Sequence, residues 1–236
     1  LDFKKGVKVY PPNLPLKSFN LGSISKKLKI PVYILNDGNA AVLGEKIFGA
    51  GEGVENLIYI TISTGIGSGA IVNNHLLLGK GGNGMEAGHM VIDPEGRLKC
   101  DCGKFGHWEA YCSGQDIPKF FKVWLKEGGK KYPKWQGKIT PEIIFKAAKK
   151  EEKTASEFVE ELGKMNAIGF ANIINIFNPS LITVGGSVIF KNPKLILNPI
   201  KKYLKNYIYN PIPEIRITPL GTDIVLYGAI AAVFNK

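Results

Sequence analysis

Short apolar runs alternate with helical patterns along most of the chain, and this alternation constrains the fold more than any other feature. The runs LIYITI at 57–62, LITVGGSV at 181–188 and IRITPL at 215–220 have the length and β-branched content of strands. Apolar residues at helical spacing separate them, most clearly from about 155 to 177. This order predicts an α/β fold, with a sheet that is partly antiparallel near a glycine-rich turn at 63–69.

Capping and helix-ending signals locate further elements. Asn178-Pro179 ends the long helix, and Thr140 is a suitable N-cap because Pro141 fits the first helical position that follows it. We also expect a strand at 31–35 that ends at the polar tip Asn36-Asp37, where a helix begins. The remaining predicted helices cover residues 23–28, 117–125, 193–206 and 223–234.

Composition narrows the classes of function. No apolar run approaches the roughly 18 residues of a membrane span, and the first residues lack the layout of a signal peptide. The net charge of +11 could indicate nucleic-acid binding, but only two of the 31 basic residues are Arg and the excess is concentrated at 119–153. We therefore interpret it as a solvated lysine-rich face and expect neither a nucleic-acid nor a membrane partner. Because residue 1 is Leu, we expect the chain to begin inside a longer protein.

The glycine-rich stretch at 79–114 contains all three cysteines and two of the three histidines. Three cysteines cannot all pair, which favours free thiols in a reducing compartment such as the cytoplasm. A set of two sulfur and two nitrogen ligands suits tetrahedral Zn2+, and such a loop needs a structural metal because it has no core of its own. We predict Zn2+ at His89, Cys100, Cys102 and His107; the alternative is a reduced, loosely packed loop in which the cysteines are incidental. Cys112 is interpreted as a small buried side chain.

Three carboxylates are candidates for chemistry. Glu86 and Glu109 flank the predicted ligands, so a structural metal would fix both, and rigid carboxylates accept hydrogen bonds from sugar hydroxyls. The alternative for each is a solvated surface glutamate. Asp37 lies where α/β proteins place their chemistry, but Asn-Asp-Gly is also a good turn sequence in any protein.

Two glycine-rich turns are candidates for nucleotide binding. The sequence STGIGSG at 63–69 matches neither the Walker pattern nor the dinucleotide fingerprint, so it predicts either a phosphate loop or a tight hairpin. Gly185-Gly186 after a strand is equally open between a helix-start turn and a close approach to a flat ligand such as adenine.

Six motifs together are more specific than any one of them: PNLP at 12–15, NDGNAAVLGE at 36–45, ISTGIGSGAI at 62–71, GMEAGHMVI at 84–92, CDCGKFGHWE at 100–109 and ITVGGSV at 182–188. In this order they resemble the ROK family of sugar kinases and sugar-responsive repressors, over nearly the whole chain. The resemblance implies an actin-like, ribonuclease-H-like ATPase fold of two lobes, with a sugar and Mg-ATP meeting in the cleft.

The resemblance also implies roles for single residues. In ROK kinases the aspartate that matches Asp37 is the general base acting on the sugar hydroxyl. The residues that hold the sugar match Asn36, Glu86, His89 and Glu109. The second phosphate loop matches Thr64, Gly65 and Gly67, and the adenosine motif matches Gly185 and Gly186.

The chain departs from the family pattern in two places. The family usually has Cys where this chain has His107. Family members also open with an Asp-x-Gly-Gly-Thr phosphate loop, which these 236 residues do not contain. We therefore predict a remnant of the small N-terminal lobe at 1–56, a large C-terminal lobe at 57–220, and a terminal helix at 221–236 that packs back toward the N-terminal lobe.

The resulting functional hypothesis is an ATP-dependent kinase that transfers the γ-phosphoryl group to a hydroxyl of a hexose or N-acetylhexosamine. ATP, Mg2+ and structural Zn2+ are the expected cofactors, and a cytoplasmic homodimer is expected. The alternative is a ROK-type repressor or sugar sensor without turnover. We expect these 236 residues alone to be inactive as a kinase.

Overall fold

The computed structural model describes residues 8–9, 19–20, 22–30, 32, 34–135 and 137–234. Its strands are β1 (Lys8–Val9), β2 (Phe19–Asn20), β3 (Leu57–Ile62), β4 (Ile66–Val72), β5 (His75–Leu76), β6 (Leu181–Gly185) and β7 (Glu214–Ile217). Its α-helices are α1 (Gly22–Leu28), α2 (Asp37–Phe48), α3 (Glu109–Cys112), α4 (Ile117–Glu127), α5 (Pro141–Lys149), α6 (Lys153–Phe177), α7 (Ser187–Lys191), α8 (Pro193–Leu204) and α9 (Ile224–Phe234).

A five-stranded mixed sheet forms the centre of the molecule, in the order β5-β4-β3-β6-β7. Strand β3 pairs antiparallel with β4 and parallel with β6, and β6 pairs parallel with β7. The parallel part and the antiparallel hairpin are both as the sequence predicts. Because β3 and β6 run parallel, the segments that follow Ile62 and Gly185 leave the sheet at the same edge.

Helices cover both faces of the sheet. Alternate residues of β3 point to opposite sides, as the two-residue period of a strand requires. Ile58, Ile60 and Ile62 join a large core with α4, α5, α6 and α8. Leu57 and Tyr59 join a second core with α2 and α9, which pack against each other. The result is a three-layer α/β/α arrangement.

The helices predicted from sequence all occur, with ends that differ by a few residues. Thr140 caps α5 by accepting a hydrogen bond from Ile143 N at 3.4 Å. Asn178 adopts the left-handed conformation and ends α6. Among the residues described, no helix combines the length and apolar character that crossing a membrane requires.

Two predicted elements differ from what the structure shows. Val32, Ile34 and Leu35 lie in no strand, and the rest of the strand predicted at 31–35 lies outside the described residues. The glycine-rich turn predicted at 63–69 is shorter than expected, because β4 begins at Ile66 and contains Gly67 and Gly69. The turn itself is therefore residues 63–65, which we call the phosphate turn for the role the motif predicts.

Candidate active site and metal centre

Asn36 and Asp37 lie at the start of α2. The Asn36 side chain caps the helix, because its Oδ1 accepts hydrogen bonds from Gly38 N at 2.8 Å and from Asn39 N at 3.4 Å. This leaves the Asn36 amide NH2 as its donor toward a ligand. Asp37 is exposed, and its Oδ1 also accepts from Gly38 N, at 2.9 Å. The carboxylate is therefore oriented locally and open to solvent.

The first turn of α2 lies directly on β4. A Cβ atom on Gly38 would be 2.2 Å from Ser68 O, and one on Gly69 would be 2.2 Å from Gly38 O. On the other side, Ser68 Oγ donates a hydrogen bond to Met85 O at 2.5 Å, just before Glu86. Strand β4 therefore brings the Asp37 motif and the Glu86 motif together, although 49 positions separate them in sequence.

Three hydrogen bonds connect the phosphate turn and the following Ile66 to the segment 109–115. Gly114 N donates to Ser63 O at 2.7 Å, and Gln115 N donates to Thr64 O at 3.2 Å. Ile66 N, directly after the turn, donates to Glu109 Oε2 at 2.8 Å. The turn is consequently fixed in position, with Thr64 exposed.

Gly185 is the last residue of β6, beside β3, and Gly186 follows it as the N-cap of α7. A Cβ on Gly185 would lie 2.5 Å from Tyr59 Oη, and one on Gly186 would lie 2.4 Å from Ile62 O. Gly186 also has φ 98°, a value that disfavours any residue with a Cβ. Close packing on β3 is therefore sufficient to explain both glycines, whether or not a ligand approaches them.

A cavity of about 360 Å3 opens between the phosphate turn and the start of α7. Among its lining residues, Ser63 Oγ and Ser187 Oγ are 3.1 Å apart, and Lys191 Nζ lies 3.9 Å from Glu142 Oε1. Hydrogen bonds from the Glu142 backbone N–H and from Thr140 lower the pKa of Glu142. The lining residues are Ser63, Thr64, Gly114, Gln115, Pro141, Glu142, Phe145, Ser187, Val188, Lys191 and Asn192. This position, past the carboxyl ends of β3 and β6, is where open α/β sheets bind ligands.

The four predicted metal ligands meet at one point. The ligand atoms of His89, Cys100, Cys102 and His107 all lie within 4.8 Å of one another. Cys102 Sγ is 3.2 Å from His107 Nδ1, and Cys100 Sγ is 3.8 Å from His89 Nδ1. The donor set of two sulfurs and two imidazole nitrogens fits Zn2+.

Tight backbone turns bring the ligands of the loop 100–107 together. Gly103 N donates to Cys100 O at 2.9 Å, and Cys100 N donates to Lys104 O at 2.8 Å. Gly103 and Gly106 have φ of 90° and 74°, and a Cβ on Gly106 would lie 2.1 Å from Asp93 O. Glycine is therefore required at Gly106 both by conformation and by space. We call residues 100–107 the metal loop.

Burial shifts the pKa of two of the metal-free ligands, Cys100 and His107. It raises the pKa of the Cys100 thiol to about 12. Burial and the neighbouring His89 ring lower the pKa of His107, which favours the neutral, metal-binding imidazole. A bound cation reverses the effect at a thiol, because the thiolate is then stabilised by coordination.

The two candidate glutamates differ in their surroundings. Glu109 starts α3 next to His107, and its Oε1 lies 3.7 Å from Cys100 Sγ while Oε2 holds Ile66 N. Glu86 is exposed, before the short 3-10 turn Ala87–His89. These contacts fix the Glu109 carboxylate in place. That Glu86 is also held rigidly stays a prediction.

Several residues of the site were missed from the sequence. Gln115, Glu142 and Lys191 line the cavity, and Ser68 links β4 to the segment before Glu86. No local pattern marks the three cavity residues, since long-range packing brings α5 and α7 to the phosphate turn. Ser68 lies in the motif ISTGIGSGAI at 62–71. Its hydroxyl between two glycines is the local feature that could have identified it as a site residue.

Comparison with known proteins places these features in a family. The ROK family profile matches residues 3–234. A glucokinase from Pyrobaculum calidifontis is 40% identical over 235 residues, covering 100% of this chain and 76% of the relative. The xylose repressor of Bacillus subtilis is 35% identical, over 96% of this chain and 57% of its own length.

A solved structure is similar over the same span. The ROK family glucokinase of Streptomyces griseus, in complex with glucose and AMPPNP, superposes with a TM-score of 0.78 at 30% identity, covering 98% of this chain and 78% of that chain. The α/β chain with a glycine hairpin and a Cys/His loop belongs to the ROK family. The predicted actin-like ATPase fold is confirmed.

Proposed function

We propose that the protein is an ATP-dependent sugar kinase that transfers the γ-phosphoryl group to a hydroxyl of a hexose or N-acetylhexosamine. The similar glucokinases support this assignment. The observation that carries it is the packing of Gly38 on Ser68, because it brings the Asp37 carboxylate to the strand that leaves the phosphate turn. The candidate base therefore lies at a helix start that packs on the strand following the candidate phosphate site.

In this proposal Asp37 removes the proton from the acceptor hydroxyl. Phosphoryl transfer has a loose transition state, so positioning and charge neutralisation supply most of the catalysis and the proton leaves late. The exposed Asp37 carboxylate at the start of α2 suits that role. The sugar is held by Asn36, Glu86, His89 and Glu109.

His89 fits a double role in the proposed site. Its Nδ1 faces Cys100 Sγ, so Nε2 remains for a sugar hydroxyl. His89, Cys100, Cys102 and His107 would hold the Zn2+, which supplies structural cross-linking of the loop rather than chemistry on the substrate. This arrangement would orient the imidazole through its coordinated nitrogen.

The nucleotide is assigned to the other side of the phosphate turn. We propose that Thr64, Gly65 and Gly67 approach the phosphates of Mg-ATP, and that Gly185 and Gly186 border the adenosine. The cavity of about 360 Å3 supports this, because Thr64 and Ser187 line it and it lies next to both motifs. Backbone N–H groups of such turns are suitable phosphate ligands.

The wider organisation follows from the same assignment. We propose that residues 1–56 are part of a small lobe, that residues 57–220 form the large lobe, and that 221–236 connect back to the small one. The packing of α9 on α2 supports that connection. A cytoplasmic homodimer completes the proposal.

The xylose repressor similarity supports a second candidate, a sugar sensor without turnover. Replacement of the proposed base distinguishes the two. In the protein that includes any segment preceding Leu1, Asp37→Asn should lower turnover about 100-fold or more, because the amide cannot accept the proton. Glucose affinity should change only a few-fold, since the proposed sugar ligands remain. Turnover is measured by a coupled assay and affinity by calorimetry on the same preparation.

A matched surface variant, Asp223→Asn, should retain the parent activity because Asp223 is exposed in a different turn. Unchanged turnover in Asp37→Asn would remove Asp37 from the mechanism. Glucose binding by the unmodified protein without any phosphorylation would favour the sensor.

A further inference from the structure

The segment from His107 to Gln115 connects the metal loop to the phosphate turn. It begins at a predicted metal ligand and ends at residues whose backbone N–H groups hold Ser63 and Thr64. Between them, Trp108 is fully buried and its Nε1 donates to Asn166 Oδ1 of α6 at 2.9 Å. The segment is therefore fixed to the core, so it can transmit a constraint from one site to the other.

Glu109 forms the first direct link. Its Oε1 lies 3.7 Å from Cys100 Sγ, and its Oε2 accepts the hydrogen bond from Ile66 N at 2.8 Å. A Cβ on Gly65 would lie only 2.5 Å from Glu109 Oε2, so the carboxylate is in close contact with the phosphate turn. A metal-bound Cys100 is a thiolate and donates no proton, so in the metal-bound protein the link depends on Glu109 lying two residues after the ligand His107 while its Oε2 holds Ile66 N.

Asp101 and Gln115 form the second link. Asp101 lies between the two cysteines of the metal loop, and its carboxylate accepts a hydrogen bond from Gln115 Nε2. Gln115 N holds Thr64 O, and Gln115 also lines the cavity assigned to the nucleotide. Asp116 forms an ion pair with Lys119 and so orients its side chain. Lys119 Nζ then lies 3.4 Å from Asp101 Oδ1 and helps to hold Asp101 in position.

We propose that the metal ion controls the affinity of the phosphate turn for nucleotide, acting through Glu109 and the Asp101–Gln115 pair as positioning residues. The metal closes the loop 100–107, and the closed loop holds Asp101 at Gln115 and fixes His107, two residues before Glu109. Without it, the loop is free to move away, so the Asp101–Gln115 hydrogen bond is lost and Glu109 is held less firmly at Ile66 N. The affinity part of this inference rests on the proposed nucleotide-binding function, whereas the ordering of the turn does not.

Hydrogen exchange of the phosphate turn tests the ordering without any nucleotide. Protein loaded with one Zn2+ per chain is compared with protein stripped by a chelator, and exchange is followed by mass spectrometry in peptides covering 57–72. Stripping should speed exchange in this segment, while β6 (Leu181–Gly185) keeps its protection as an internal control. Unchanged exchange at 57–72, or a chain that binds no Zn2+, overturns the proposal.

Affinity for Mg-ADP tests the functional consequence. Calorimetry should show at least about 5-fold weaker Mg-ADP binding after Zn2+ removal, the lower end of a typical coupling between sites. If Mg-ADP binds neither form, the proposed nucleotide site is wrong, and the exchange result alone decides whether the metal orders the turn. Equal Mg-ADP affinity of the two forms overturns the control of affinity.

Two sets of variants keep the test valid even if stripped protein unfolds. Asp101→Ala retains all four metal ligands, so it should keep its Zn2+ and its glucose affinity but bind Mg-ADP several-fold more weakly. Lys104→Ala, an exposed change in the same loop, is the control and should bind Mg-ADP normally. Equal Mg-ADP affinity in both variants would contradict the Asp101–Gln115 link.

Glu109 is tested by a conservative pair of substitutions. Glu109→Ala should raise the exchange rate at 57–72 and weaken Mg-ADP binding, because Ile66 N loses its acceptor. Glu109→Gln keeps an acceptor oxygen for Ile66 N, so it should restore both properties even though sugar binding changes in each variant. Failure of Gln to restore either one would argue against the positioning role.

Discussion

Gly38 and Gly69 permit α2 and β4 to approach each other closely. The start of α2 lies on β4 with no room for a Cβ on either residue. Glycine in the middle of a strand weakens that strand by itself, so its presence here indicates a close backbone approach. The position of the Asp37 carboxylate therefore depends on the absence of two side chains.

Gly69→Ala should consequently destabilise the protein. Its Cβ would be 2.2 Å from Gly38 O, and overpacking of this kind costs about 1–3 kcal/mol. The melting temperature should fall by about 2–4 °C per kcal/mol for a chain of this size. Gly67→Ala is the control in the same strand, because its Cβ would meet only Thr61 Cγ2, at 3.2 Å. Equal melting temperatures for the two variants would contradict the close packing.

Asp93 is the buried acceptor of a small polar network before the metal loop. Tyr111 Oη donates to Asp93 Oδ2 and itself accepts from Leu98 N at 3.1 Å. Arg97 Nε donates to the same carboxylate at 2.9 Å and its guanidinium also pairs with Glu127. Burial opposes ionisation of Asp93, but these donors outweigh it and leave the pKa of Asp93 below its ordinary value of 3.8.

The lowered pKa of Asp93 predicts a pH-dependent effect of Tyr111→Phe. A depressed carboxyl pKa contributes stability above the ordinary value of 3.8, and the contribution is lost as the pH falls through the native pKa. At pH 7 the variant should lose about 1–3 kcal/mol, because it removes a donor to Asp93 and an acceptor for Leu98 N. Denaturant unfolding at several pH values should show this difference shrinking below about pH 4.

Tyr209→Phe is the matched control, since Tyr209 is 94% exposed. It should change the free energy of unfolding little at any pH. A loss in Tyr111→Phe that is constant from pH 7 to pH 3 would exclude the Asp93 carboxylate as its cause.

At the scale of elements, the metal loop lacks regular structure over most of its length. Backbone hydrogen bonds and the isolated pairing of Lys99 with Phe105 form only a small hairpin. A loop of this kind has little apolar area to bury, so metal coordination would supply much of its stability.

Cys102→Ser should therefore release the metal. We expect one Zn2+ per chain in protein purified without added metal, and much less in the variant, with lower glucose affinity and a lower melting temperature. Cys112→Ala is the control: Cys112 is buried beside Leu162 O and is not among the four clustered ligands, so it should retain the metal. Less than about a third of an equivalent of Zn2+ in the parent protein would exclude the tetrahedral site.

The sequence predicts best those elements whose ends are determined by residues next to them in the chain. The helix α5 follows from Thr140 and Pro141, and α6 from its long apolar period and Asn178. The extent of the glycine turn was not predictable in the same way. Glycines indicate turns in general, and only the antiparallel pairing with Tyr59 and Thr61 of β3 shows that Gly67 and Gly69 belong to β4.

The same distinction applies to the candidate site. The metal ligands could be predicted because Cys and His at short spacing restrict the possible chemistry, and the structure brings all four together. The contact between Glu109 and Ile66 N joins residues 43 positions apart, and no local pattern reports it. Gln115 likewise lies 51 positions after Thr64, and the hydrogen bond from its backbone N–H to Thr64 O brings it to the site.

At the scale of the whole molecule, two parallel strands bring the candidate site together. Because β3 and β6 are neighbours, the phosphate turn and the Gly185-Gly186 turn leave the sheet side by side. Glu109, which follows the metal loop, accepts the hydrogen bond from Ile66 N, and the start of α2 packs on β4. The residues proposed for sugar binding and those proposed for nucleotide binding therefore lie on neighbouring elements.

The 236-residue chain by itself should accordingly bind ligands better than it catalyses. Electrostatic stabilisation of the transferring group usually carries the largest share of rate enhancement, and these residues contain no Asp-x-Gly-Gly-Thr loop to complete the phosphate clamp. We expect calorimetric binding of Mg-ADP or glucose by the chain, with turnover far below the roughly 1–100 per second of typical kinases. The comparison is a coupled assay on this chain and on the protein with any preceding segment, at equal concentration and Zn2+ content. Turnover by the 236 residues within the typical range would show that the residues described here form a complete phosphate clamp.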